Sequence, residues 1–377
     1  MFDCLILGAG PAGAAAAYHL ARRGHSVLLI EKDRLPRYKA CGGGVSPIVA
    51  EWFDFDFSPA IEHGVNRLRF TWKMDDPVEA DLPSEEPFWM VKRDRFDQFL
   101  VEQAVAAGVQ IEDGCPALGL SPCDDGWEVE TSRGRFQGRY LIAADGAEGP
   151  AAGWLGFPVQ KRNYARALEL EVPLDHRPDS TAHFEFGLVK NGYIWMFPKA
   201  SGYSVGIGTF RGQEETDFLG LLAEYLPSHG LSLSDSEARP ARLNIWNGHI
   251  ALHGRRCLLA GDAAAVTDPF TAEGIRPALL TGVRAAEAIA AALGGDSNAL
   301  ADYSQRIRRE WGDSMAWGKR IAQVFYRVPS IGYQIGIKRP TAPQRMAQIL
   351  VGEQNYGDIA GRVIRRLTTS FLPGGGR

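Results

Sequence analysis

The sequence lacks the spacings that mark metal and disulfide proteins. Its five cysteines, at positions 4, 41, 115, 123 and 257, form no CxxC, and their odd number argues against a disulfide framework. Eight histidines show no HxxH pattern, so no metal site is expected. Such cysteine usage fits a reducing, cytoplasmic setting. Long apolar runs are missing too. The best candidate, ALLTGVRAAEAIAAAL at 278–293, carries Arg284 and Glu287 and is too short to span a bilayer. The N-terminal apolar run has no basic region before it and breaks into glycines, so it is not read as a leader. Internal repeats are absent, and no second complete GxGxxG follows the first.

What remains is an ordinary globular composition, 45% hydrophobic and 23% charged over 377 residues. That length suits two domains or one elaborated domain. Nine Trp and eighteen Phe point to a large aromatic core or pocket. The net charge of −4 hides an asymmetry. Residues 319–377 hold ten Lys/Arg against two acids, with Phe, Tyr, Ile and Leu interleaved. Such a basic segment suits peripheral contact with an anionic membrane surface, although a solvated helical face has the same composition. No nucleic acid is expected as a partner.

The clearest unit is FDCLILGAGPAGAAAAYHLARRGHSVLLIEKD at 2–33. It reads as a buried strand, a glycine turn, an alanine-rich helix and a second parallel strand ending on an acid. A Pro/Gly loop covers 34–47, with a short helix near 46–53. NRLRFTWKM and PVEADL alternate as strands around a DD turn. RDRFDQFLVEQAVAAG at 93–108 is an amphipathic helix with Phe96, Leu100, Ala104 and Ala107 on one side. Strands follow over 109–120, 126–131 and 135–143. From 162 to 246 the chain is strand-rich, interrupted by one helix near 215–226. RRCLLAGDAA at 255–264 is another strand and turn. From 274 onward the chain reads as helical, with breaks at Pro329, Pro340 and Pro343 and a frayed PGGGR end.

Gly8-Ala9-Gly10-Pro11-Ala12-Gly13 is a GxGxxG between strand and helix. Gly8 permits the turn, Gly10 lets backbone approach a pyrophosphate, and Gly13 lets the helix pack on the strand. The helix N-terminus faces the phosphates, and Glu31 stands where a carboxylate accepts from a ribose diol. This context implies dinucleotide binding but does not separate FAD from NAD. LIAADGAEG (141–149) and LLAGDAAAVTDPFTAEGI (258–275) each end a strand in an acid–glycine pair. Asp262 suits the hydroxyls of a ribityl chain, and the helix opening at Gly274 and Ile275 offers free N–H groups to an anionic ring. Their order resembles the FAD-dependent reductase and hydroxylase superfamily of p-hydroxybenzoate hydroxylase.

PRYKACGGG (36–44), RDRFDQFL (93–100), YIWMFPK (193–199) and GDAAAVTDPFTAEGI (261–275) together resemble the geranylgeranyl reductase family, over about residues 1–290. That family uses FAD to saturate isolated C=C bonds of prenyl chains. The resemblance implies adenosine-side contacts at Ala12 and Glu31, a flavin-side loop at Ala40, Cys41 and Gly43, and a cofactor arginine at Arg93, with Arg95 its rival. It implies a small residue near the adenine at Ala117, and ribityl and ring contacts at Asp262, Gly274 and Ile275. Tyr193, Trp195 and Phe197 match a YxWxFP strand that lines the substrate cavity. Without the resemblance such a stripe is plain core.

The expected fold is therefore α/β plus antiparallel β. A Rossmann-like FAD-binding domain (1–65, 92–161, 247–300) joins a discontinuous sheet-based substrate domain (66–91, 162–246) and a helical C-terminal region (301–377). Cys41, Tyr193 and Trp195 are the candidate catalytic residues, with Tyr193 or an ordered water giving the proton. Cys41 is read as a polarizable thiol beside the flavin, and the three glycines after it as room for that ring. Lys199 is read as an exposed residue at a sheet end, and Asp94, Arg95 and Asp97 as first-turn residues of a helix where Asp favours the dipole. Gly206 and Gly208 are read as allowing close packing on the neighbouring strand. The electron donor is NADPH or reduced ferredoxin, the latter docked on the basic tail. The substrate is a prenylated, lipid-like molecule. A flavin-dependent hydroxylase of an aromatic or quinone is the rival enzyme, and a flavin-bearing electron carrier or membrane-bound assembly factor the non-enzymatic rival.

Overall fold

The computed structural model describes residues 1–82, 86–158, 163–210, 216–233 and 236–359. The expected frayed PGGGR end and the tail arginines 362, 365, 366 and 377 lie outside the described residues, as does the expected boundary at 161–162.

The first sheet grows from the N-terminal βαβ unit. Strand Phe2–Leu7 pairs in parallel with Val27–Ile30 on one side and with Gly134–Ala143 on the other. Cys4, Leu5 and Ile6 are fully buried, as a central parallel strand covered on both faces requires. The order along the sheet is His253–Gly254, Cys257–Leu259, Gly134–Ala143, Phe2–Leu7, Val27–Ile30, Gln110–Glu112. Gly126–Thr131 and Ala117–Cys123 extend it as an antiparallel meander. Helix Pro11–Ala21 packs on helix Ile275–Leu293, and the contact is close because both faces are small: a Cβ on Gly282 would stand 2.2 Å from Ala12 O.

The second sheet has seven strands in the order Arg239–Ile245, Asn163–Pro173, Gly202–Thr209, Gly192–Lys199, Thr181–Phe186, Arg67–Trp72, Asp75–Asp81. All neighbours are antiparallel except Thr181–Phe186 with Arg67–Trp72, which run parallel. Its two faces differ. Leu170, Val172, Ile194, Met196, Val205 and Ile207 point to one side, into a small core closed by Leu222 and Tyr225 of helix Phe218–Tyr225. The alternate residues point to the other side, toward the first sheet. Period 2 along each strand dictates this division.

Two details differ from the sequence expectation. The hairpin between Arg67–Trp72 and Asp75–Asp81 turns at Lys73 and Met74, which take φ of 53° and 62°, and both aspartates lie in the second strand. A third sheet joins Gly44–Val45, Phe88–Met90 and His63–Val65, strands too short to show alternation. The expected helix breaks are present: Pro329 and Pro343 open helices Pro329–Gly336 and Ala342–Leu350 from within their first turns, where a missing N–H costs nothing. None of the described helices is long and apolar enough to cross a membrane.

Candidate functional site

The glycine turn is shaped by steric demands of two kinds. Gly8 takes φ +95° with its missing Cβ 2.4 Å from Ala144 O, and a Cβ on Gly13 would stand 1.8 Å from Gly8 O. The protein itself requires these two glycines. Gly10 is different: the nearest atoms to its missing Cβ are Arg37 Nη2 at 3.7 Å and Arg93 Nη2 at 4.0 Å. Gly10 thus keeps a space open beside two guanidiniums, at the start of a helix whose N-cap carries no side-chain hydrogen bond. Unpaired helix N–H groups and two cations around a cleared space suit a pyrophosphate.

Arg93 is buried and forms a bidentate bond to Asp97, both arms at 2.7 Å. Burial works against its charge, but Asp97 more than offsets this and raises its pKa. Arg37 Nη1 reaches the same carboxylate at 2.9 Å. Burial favours the neutral form of Asp97, yet the two arginines hold its carboxyl below the ordinary range. Asp97 is therefore the buried counterion of both arginines rather than a first-turn dipole residue. Arg95 points outward to Glu62 and Pro59 O. Glu31, 4% exposed, accepts from Ala9 N at 2.7 Å and leaves the end of strand Val27–Ile30 facing the turn.

The segment 38–44 is clamped from the second sheet. Glu169, 1% exposed, accepts from Cys41 N at 2.5 Å and Tyr38 Oη at 2.9 Å, and Ser204 Oγ donates to its other oxygen. Lys199 corrects the sequence reading. It is 1% exposed and donates to Gly42 O at 2.6 Å and Val91 O at 2.8 Å. The loop folds over the strand end and takes the place that solvent was expected to hold. The triple glycine is also explained largely by protein. A Cβ on Gly42 would meet Phe197 at 2.9 Å and Trp195 Nε1 at 3.0 Å, one on Gly43 would meet Val91 O at 2.0 Å, and one on Gly44 would meet Phe88 at 2.7 Å. Cys41 is a free, half-buried thiol.

Tyr193, Trp195 and Phe197 alternate along strand Gly192–Lys199 on the face toward the first sheet. Phe184 and Phe210 pack against this row. Gly206, on the neighbouring strand, makes room for the Trp195 indole, whose Cζ2 lies 2.0 Å from its missing Cβ. The Tyr193 hydroxyl donates to Thr271 O, and burial first, then Asp268, pushes its pKa well above the ordinary phenol range.

These groups share one cavity of about 690 Å³, within the range of about 300–1,000 Å³ usual for cofactor and ligand sites. Gly8, Gly10, Ala12, Glu31, Ala40, Cys41, Gly43, Arg93, Ala117, Tyr193, Trp195, Phe197, Asp262, Gly274 and Ile275 all line it. Gly13 does not; it is consumed by the helix–turn contact. The wall also contains Arg37, Glu169, Phe184 and Glu273, which sequence reasoning passed over. Arg37 and Glu273 lie inside quoted motifs, so their position was the available signal. Among the described residues no cluster of metal-ligating side chains occurs.

Comparison with known proteins agrees with this geometry. The FAD binding domain family matches residues 1–202. Digeranylgeranylglycerophospholipid reductase 1 of Methanothermobacter thermautotrophicus is 30% identical over 340 residues, covering 83% of this chain and 84% of the relative. A geranylgeranyl bacteriochlorophyll reductase-like structure from Thermoplasma acidophilum superposes with a TM-score of 0.83 at 22% identity, over 97% of this chain and 98% of its own. A flavin-dependent brominase superposes with a TM-score of 0.70 at 19% identity, over 98% and 99%. At these identities the two structures establish the fold.

Proposed function

We propose that this chain, which belongs to the FAD-dependent geranylgeranyl reductase family, saturates isolated C=C bonds of a geranylgeranyl-type prenyl chain. The observation that carries this reading is the meeting of two surfaces in one cavity. A cleared glycine turn with two arginines forms one end, and an aromatic wall of Tyr193, Trp195, Phe197 and Phe184 forms another. The residues fit FAD: the open space at Gly10 takes the pyrophosphate, Glu31 and Ala117 the adenosine side, Asp262 the ribityl chain, and Ala40, Cys41, Gly43, Gly274 and Ile275 the ring. When bound in its reduced form, FAD supplies the hydride.

The protein's own part is positioning and exclusion of water. An unactivated alkene has no carbonyl to polarise, so orientation carries much of the rate. The aromatic row holds a flat, apolar chain. Trp195 is fixed by Gly206 beneath it and Tyr193 by its bond to Thr271 O. Glu169 and Lys199 fix the backbone around Cys41, which faces the same cavity.

Electrons come from NADPH or from reduced ferredoxin, and the chain works at a membrane surface from the cytoplasmic side. Residues 314–352 contain six Lys/Arg and no acid. Within them Val324, Val328, Ile331 and Ile335 are 68%, 43%, 54% and 53% exposed. Aliphatic side chains among cations, of which Lys338 pairs with Asp76, suit an anionic lipid interface.

The test is anaerobic. The purified protein, reduced chemically, is offered a panel of geranylgeranyl compounds, and products are profiled by mass. Products heavier by two hydrogens per bond support the reading. No saturated product, with oxygen-dependent hydroxylation of an aromatic or quinone in air, would replace it with the hydroxylase. Parallel runs with NADPH and with reduced ferredoxin assign the donor, and liposome flotation of Ile331→Asp assigns the surface.

A further inference from the structure

Saturating a double bond needs a proton as well as a hydride, and the loop that carries Tyr193's partner holds a better acid than Tyr193. Asp268 and Glu273 are both buried, and both lie close to Arg276, itself 7% exposed. Two carboxyls and one guanidinium out of water balance in charge when one carboxyl keeps its proton.

The hydrogen bonds say which one. Asp268 receives three donors: Phe270 N at 2.7 Å and Thr271 N at 3.0 Å on Oδ1, and Tyr356 Oη at 2.9 Å on Oδ2. Burial pushes the Asp268 pKa up as well, and these three donors work against that rise, the pattern of a carboxylate. Glu273 Oε2 receives Arg276 Nη2 at 2.7 Å, and Oε1, buried, has no partner. An oxygen without donors is the place for a proton. Glu273 also lines the cavity, two residues after Thr271, whose carbonyl takes the Tyr193 hydroxyl.

Resting on the prenyl reductase reading, we infer that Glu273 is the general acid of this site: its carboxyl, whose Oε1 is covered at rest, turns into the cavity and gives its proton to the alkene. One alkene carbon gains hydride from the reduced cofactor. The π electron pair forms the second C–H bond with the Glu273 proton at the other carbon. Two electrons and one hydrogen come from the cofactor, one proton comes from the carboxyl, and the carboxylate left beside Arg276 is reprotonated from water. Burial pushes the Glu273 pKa up to about 7 against the pull of Arg276, with Asp268 adding to the rise. The other groups around this cluster are phenols lifted by burial, Tyr193 on the aromatic strand, Tyr326 on helix Asp313–Arg327 and Tyr356 in the helical turn that follows helix Ala342–Leu350. They stay neutral throughout the range in which Glu273 titrates.

The experiment compares wild type with Glu273→Gln and Glu273→Asp as FAD-loaded protein, checked for equal melting temperature and cofactor content. Infrared difference spectra across pH are expected to show a protonated carboxyl that disappears near pH 7 and is missing in Glu273→Gln. With the flavin reduced chemically, Glu273→Gln is expected to lose about 100-fold or more in prenyl reduction. Wild-type rates should fall as pH rises through 7, and Glu273→Asp should restore part of the activity. Equal rates in Glu273→Gln, or a Glu273 ionised well below pH 7, would overturn the inference. If wild type reduces no prenyl compound, the reductase reading falls and takes the inferred donor role with it. The infrared signal separates that outcome from failure of the protonation state alone.

Discussion

Replacing Lys199 with methionine tests whether the second sheet holds the Cys41 loop in place. Methionine keeps most of the length and removes the charge and the donors. Each charge-assisted bond removed, to Gly42 O and Val91 O, costs about 1.5–3 kcal/mol. Methionine also abolishes the cost of burying an ammonium, which is several kcal/mol, and burial does push the Lys199 pKa down. The lost bonds should win, because two carbonyls lose these donors and Glu169 loses a neighbouring buried cation. A net loss of about 2–4 kcal/mol follows, measured by urea denaturation. The loss has a location. Val91 N still donates to Gly43 O at 2.8 Å, so faster amide exchange should be confined to 38–42, where Cys41 N depends on Glu169. A variant within about 0.5 kcal/mol of wild type, with unchanged exchange in that segment, would refute the clamp.

Three other perturbations separate roles that share this region. Gly10→Ala should leave the melting temperature of the cofactor-free protein nearly unchanged and weaken FAD binding, whereas Gly13→Ala should fail to fold, because its methyl would collide with Gly8 O; melting curves and flavin titration read both. Cys41→Ser should bind flavin normally and slow prenyl reduction about tenfold, or 1.4 kcal/mol, with a changed degree of saturation in the products. Complete loss with flavin still bound would indicate essential thiol chemistry. Burial lowers the pKa of His19 and His183 from the ordinary 6.5 to about 4. Both are neutral in the folded state, so their contribution is present above 6.5 and lost as pH falls from 6.5 toward 4. Replacing both with glutamine should remove up to about 3 kcal/mol per histidine of that acid sensitivity, measured as denaturation midpoints across the window.

What was legible in the sequence is what local sterics decide. Gly8 and Gly13 answer to atoms within a few residues or on the adjacent strand, so their spacing alone announces the turn. The parallel pairing of Phe2–Leu7 with Val27–Ile30 was readable too, since the apolar runs CLIL and VLLI flank a glycine turn and a helix. Glu169 and Lys199 were not legible, and the cause is physical. In ALELEV, Leu168 and Leu170 point into the small core behind the second sheet, so alternation assigns Glu169 to solvent. The same rule assigns Ser204 to solvent, and Lys199 was read as exposed because it ends its strand. All three are buried, because the face of this sheet toward the first sheet meets the loop 38–44 and the cavity rather than water. Their partners lie 35 to 157 residues away in the chain. Period 2 gives the face of a strand but not what covers that face. A sheet whose polar side is buried must therefore satisfy its polar groups against something specific. Here the groups satisfied are Cys41 N, Gly42 O and Tyr38 Oη, whereas Glu273 Oε1, like Glu185 Oε1 and Asn244 Oδ1 of the second sheet, has no hydrogen-bond partner.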